Sequence, residues 1–64
     1  MLLKKNNIDL IRPTPHEMFN PKEHEILMAE TLSDFKKGEI VKLMNSGYRQ
    51  RETVLMRANV IVAR

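Results

Sequence analysis

Not one of the chain's 64 residues is a cysteine, and that removes the usual means by which so short a chain holds a fold together. Domains generally run to roughly 100 residues or more. Below that size, apolar burial at roughly 25 cal/mol per Å² is nearly cancelled by about 1.5 kcal/mol of entropy per ordered residue. Without cysteine there is neither a disulfide framework nor a thiolate metal site to tip the balance. Oligomerisation or a partner remains, and a homo-oligomer is the expectation.

Charge is unevenly spread. Lys4, Lys5 and Arg12 outweigh Asp9 in residues 1–15, whereas residues 16–41 set Lys22, Lys36 and Lys37 against Glu17, Glu23, Glu25, Glu30, Asp34 and Glu39. Residues 42–64 carry Lys42, Arg49, Arg51, Arg57 and Arg64 with Glu52 as their only acid. The middle is acidic and the ends are basic, a pattern that bears on partners rather than on fold. No apolar run is long enough for a membrane span, and the first residues do not read as a signal peptide. A cytoplasmic protein is expected.

Residues 1–15 read as an extended N-terminal arm, because Asn6-Asn7 favours a turn and the prolines of Arg12-Pro13-Thr14-Pro15 allow no helix through them. Residues 16–64 then read as one small helical domain. Asn20-Pro21-Lys22-Glu23 has the makings of a helix start: a side-chain acceptor, a proline in the first turn and a Glu at capping-box spacing. The spacing of Ile26, Leu27, Leu32 and Phe35 predicts one kinked helix over 21–45, or two with a break near 31–37. Gly47 reads as a left-handed stop. Val54, Leu55, Ala58, Ile61 and Val62 fall at i, i+1, i+4, i+7 and i+8, a helical stripe. The β-branched run Val60-Ile61-Val62 leaves a rival open, a strand over 53–63 paired with the arm. The expected fold is therefore all-α, two or three helices in a small hairpin or bundle behind an extended arm.

The segment from Glu39 to Val54 carries the main functional suggestion. Paired aliphatics are followed by Asn45-Ser46-Gly47 and then by Tyr48-Arg49-Gln50-Arg51-Glu52-Thr53. This resembles the helix-turn-helix of resolvase-type DNA-binding domains, in which a glycine turn lets a second helix lie in the major groove. The resemblance implies that Arg49, Gln50, Arg51, Thr53 and Arg57 contact nucleic acid or another anion, since arginine reads guanine edges, glutamine reads adenine, and both serve phosphates. An ordinary helical hairpin with Gly47 as its C-cap and a solvated arginine face is the other reading. Met56 and Val60 fall off the main stripe as a second apolar strip on the final helix, and with Ile61 they are the expected oligomer interface.

Catalysis has little support in the sequence. His16 and His24 lie eight residues apart across a proline and cannot share a helix face as metal ligands would. Glu30 and Asp34, at i and i+4, read as part of a solvated acidic face. With two glycines in all, the chain has no phosphate-cradling loop. No enzyme, metal or cofactor is expected. The leading expectation is a DNA-binding regulator; the alternative is a small phage- or mobile-element-type protein that inhibits a host protein or sequesters a nucleotide-like anion as an oligomer.

Overall fold

A computed structural model describes residues 7–64 of the chain. Among them there is no helix; six strands make two three-stranded sheets. The strands are β1 (Ile8–Ile11), β2 (His24–Glu30), β3 (Ile40–Asn45), β4 (Gly47–Gln50), β5 (Thr53–Met56) and β6 (Ala58–Ala63). One sheet has the order β1-β4-β5, all antiparallel. The other has the order β2-β6-β3, with β2 parallel and β3 antiparallel to the central β6. The all-α expectation is overturned.

The physical reason is clearest in the last eleven residues. The stripe that fits a helix also fits a strand, because β6 buries Ala58, Val60 and Val62 on one face in strict alternation. An isolated helix shorter than about 12–15 residues is marginal in water. The same β-branched residues in a central strand bury apolar surface against neighbours on both sides. The alternative of a single strand over 53–63 is corrected as well: that stretch is two strands in different sheets, and β6 pairs with β2 and β3 and not with the arm.

Only one residue separates β3 from β4, and one separates β5 from β6. Each pair of strands is thus a single line of chain passing from one sheet into the other. At the crossing sits Gly47, buried, where a Cβ would lie 2.4 Å from both the Ala58 amide nitrogen and the Met56 carbonyl oxygen. The predicted left-handed stop is corrected here. Gly47 has no positive φ; what demands glycine is the close approach of two backbones. The turn lies instead at Arg51-Glu52, where Gln50 pairs with Thr53 and Arg51 takes the left-handed φ of 55°.

Asn20 keeps its capping chemistry in an unexpected setting. Its side-chain oxygen accepts from the Lys22 amide at 3.0 Å, and its carbonyl accepts from the amides of Glu23 and His24. That makes a single turn, after which the chain extends into β2. Of the expected arm, Ile8–Ile11 is built into a sheet against Gly47–Gln50; residues 1–6 lie outside the described residues.

The core is one cluster drawn from both sheets: Ile11, Ile40, Ala58, Val60 and Val62, with Phe19, Ala29, Leu43 and Val54 packed against it. Residues 16–19 run alongside Gly38–Ile40, where the chain enters β3. The His16 amide donates to the Ile40 carbonyl, the Ile40 amide to the Glu17 carbonyl, and the Phe19 amide to the Gly38 carbonyl.

Candidate functional site

The pairing register sorts the side chains of the β1-β4-β5 sheet onto two faces. Ile11, Arg49 and Val54 face inward, toward the core and the turn that precedes β2. Leu10, Tyr48 and Met56 stand opposite one another in a row across the three strands on the outer face. Leu10 and Met56 are 40% and 53% exposed. β5 is bulged at Leu55, which has no partner on β4 and is itself exposed. A row of large apolar side chains across a sheet, open to water, is a surface that gains by being covered.

Behind this face lies the junction of the two sheets. Arg49 Nη1 donates to Glu23 Oε2 at 2.6 Å, joining the central strand of one sheet to the turn that starts the other. The pair sits in the wall of an open groove of about 440 Å³, lined also by Asn20, Lys22, Arg51, Glu52 and Val54. Its cations and carboxylates are mixed. It offers no single-signed field for a polyanion.

Each residue expected from the sequence to bind nucleic acid or an anion has a definite place. Arg49 is engaged by Glu23. Gln50 and Thr53 face each other at the end of the β4–β5 hairpin, and Arg51 forms its tip. Arg57, between β5 and β6, donates to the Pro21 carbonyl at 3.4 Å and lies 3.8 Å from Glu25. The five are spread over both faces and the end of a sheet. Of the expected interface residues, Met56 belongs to the exposed row, and Ile61 is half-buried on the opposite face of β6 from the core. Val60 is wholly enclosed in the chain's own core and has no surface to offer a second copy.

The two histidines do separate structural work. His24 is buried, and its Nδ1 accepts from the Asn20 amide at 3.0 Å. His16 stacks on Phe35 with ring centroids 4.2 Å apart, and its Nδ1 donates to Glu39 at 3.0 Å. The Lys36 amide and then His16 hold the Glu39 carboxyl below the usual carboxylate range. Glu17 is lowered likewise by the Thr14 amide and hydroxyl. Among the described residues, no three histidine or acidic side chains gather as metal ligands would. None of the described residues forms a helix long and apolar enough to cross a membrane.

Sequence reasoning missed Leu10, Tyr48, Leu55 and Glu23. Alternation of Leu10 with Ile11 and of Tyr48 with Arg49 was the available signal, but each run is only four residues long.

Fold and surface together define a small two-sheet β module with an exposed apolar face. Comparison with known proteins says which. The chain matches the GrpE family over residues 1–64, and it belongs to that family. It is 34% identical over 61 residues to Protein GrpE of Coxiella burnetii, covering 95% of this chain and 30% of that protein. It is 35% identical over 60 residues to Protein GrpE of Nitratiruptor sp., covering 94% of this chain and 33% of that protein. The chain thus spans about a third of the length of these relatives. The family is non-enzymatic, as the sequence led us to expect. Membership, with the absence of any helix among the described residues, overturns the helix-turn-helix resemblance and the DNA-binding function drawn from it. The host-inhibitor and nucleotide-sequestering alternative falls with it, as do the nucleic-acid, anion and host-protein partners.

Proposed function

We propose that this chain is the part of a GrpE-type nucleotide-exchange co-chaperone that docks onto an Hsp70 partner in the cytoplasm. The family match over residues 1–64 carries the reading, and the row Leu10, Tyr48 and Met56 supplies a face on which to dock. Exchange of this kind needs no reacting side chain. A protein that binds the open form of a nucleotide-binding domain more tightly than the closed form lowers nucleotide affinity by the same factor. Coupling of about 1–3 kcal/mol, roughly 5- to 150-fold, is typical of such linkage. An apolar face on a sheet locked by its own core suits that role, because binding energy is not spent on reshaping the module.

The test is binding of the chain to an isolated Hsp70 nucleotide-binding domain, together with release of labelled ADP from it. Replacing both Leu10 and Met56 with Asp places charge at both ends of the row, on either side of Tyr48. Affinity should fall by about 30-fold or more, the scale of a lost hot spot, with ADP release slowed to match. Unchanged binding by the double variant would remove the proposed face, and no binding by the parent chain would remove the reading.

A further inference from the structure

The β2-β6-β3 sheet stops one strand short of its own core. Ile26 of β2 stands in the core register, paired with the fully buried Val60, yet it is 45% exposed, and among the described residues β2 has no strand on its other side. Leu27 and Met28 are 54% and 53% exposed. The remaining edges among the described strands are blunted. Residues 16–19 cover only the start of β3, at Gly38–Ile40, and Lys42 interrupts the remainder; β5 is short and bulged, and β1 is four residues long and runs toward Pro13. β2 alone presents seven residues with an uncharged centre, Ile26-Leu27-Met28-Ala29, and no proline. Parallel-paired strands are normally covered.

Charge selects the occupant. Glu25, Met28 and Glu30 pair with Asn59, Ile61 and Ala63, which alternate along β6, so all three stand on the face away from the core. The bulge at Leu27 is what brings them there, since an odd spacing from Glu25 to Met28 would otherwise part them. Glu25 faces Arg57 only at 3.8 Å, with both side chains about half exposed, and Glu30 has no side-chain partner among the described residues. A second copy laid antiparallel with Leu27 against Met28 would set Glu25 against Glu30 at both ends, and like charges directly opposite are destabilising. A strand with a cation at each end has the opposite sign.

We propose that the free edge of β2 receives an added strand from a partner segment with an apolar centre and basic residues four positions apart. The first cation lies opposite Glu25 and the second opposite Glu30. The centre covers Ile26 and Met28, completing the core face on one side and a patch with Ile61 on the other. Main-chain hydrogen bonds supply affinity and the glutamates supply selection. The site is separate from the Leu10–Met56 face and does not depend on the Hsp70 reading.

The probe is a dye-labelled peptide, Thr-Lys-Val-Ile-Val-Lys-Thr, compared with its twin bearing Glu in place of both Lys, titrated into the full chain. Two cross-strand pairs changed from attractive to repulsive should separate the two affinities by about ten-fold in favour of the basic peptide. The Glu25→Lys, Glu30→Lys double variant should reverse that order, and the basic peptide should slow hydrogen exchange of the β2 amides in the parent chain. Equal affinities, an unreversed order, or protection confined to other strands would overturn the proposal. So would a doubling of the chain's mass without peptide that is abolished by Ile26→Lys, because the edge would then belong to a second copy.

Discussion

Replacing Gly47 with Ala adds one methyl group at the place where the two sheets cross. The new Cβ would lie 2.4 Å from Ala58 N, 2.4 Å from Met56 O and 2.6 Å from Arg57 C. Carbon normally stays roughly 3.5–4 Å from another carbon, so about an ångström of relief is needed. Every atom it meets is backbone, and that backbone is held by β4 on one side of the crossing and by β2 and β3 on the other. No side chain can turn away. Overpacking costs about 1–3 kcal/mol where the surroundings give, and more where they do not, so about 3 kcal/mol is a reasonable floor here. At 0.05–0.15 kcal/mol per residue a chain of this size has roughly 3–10 kcal/mol in all. With about 4–8 °C lost per kcal/mol, thermal unfolding followed by circular dichroism should drop by about 12–24 °C or lose its cooperative transition. Gly38→Ala is the control. Gly38 has φ +90°, but its Cβ would meet only Met18 Cε at 3.2 Å, the movable end of a flexible side chain. That variant should lose only about 1–2 kcal/mol, the cost of a left-handed alanine. If Gly47→Ala melts within about 4 °C of the parent, or is milder than Gly38→Ala, the crossing is not what holds the sheets together.

Arg51→Gly should stabilise the chain by up to about 1 kcal/mol in urea unfolding, because glycine accepts the hairpin's φ of 55° without a Cβ penalty. A double-mutant cycle on Glu23→Gln and Arg49→Gln should give a coupling of about 0.5–1 kcal/mol, since both side chains remain about a third exposed and water screens the pair. Glu17 and Glu39 have folded pKa values below 4.5. Their contribution is present above that value and lost as pH falls through the folded one. Stability measured from pH 6 downward should therefore decline below about pH 4.5, and the Glu17→Gln, Glu39→Gln double variant should flatten that decline.

Some local chemistry was legible in the residues and its outcome was not. Asn20 does receive amide hydrogens as a capping residue should, but whether one turn or five follows a cap depends on what the next segment packs against. In residues 24–30 the decisive fact is parallel pairing to β6, more than thirty residues away, which no local pattern announces. The hairpin at Arg51-Glu52 lacks the Asn-Gly or Asp-Gly that marks such turns, so its signal was absent from the sequence. Gly47 was visible as special, and the error lay in choosing backbone conformation over backbone proximity as the reason. The arginines drew attention through their charge, yet Arg49 is paired with an acid 26 residues away. The apolar face was hidden because its members come from three separate four-residue strands.

The crossing at Gly47 also bears on what the surfaces can do. β3–β4 and β5–β6 are each continuous through the junction, and Ile11 from one sheet packs in the same cluster as Ile40, Val60 and Val62 from the other. Arg49 of one sheet and Glu23, in the turn that leads into the other, add a polar tie between them. A hinge needs a few residues free to absorb a change of φ and ψ, and here each link is a single residue, Ser46 or Arg57, with the two backbones in close approach at Gly47. The Leu10–Met56 face and the β2 edge are thus carried on one body. Occupancy of one should not alter affinity at the other through a change of shape. A measured coupling between them above about 0.5 kcal/mol, the usual limit of additivity for separate sites, would mean that the junction bends.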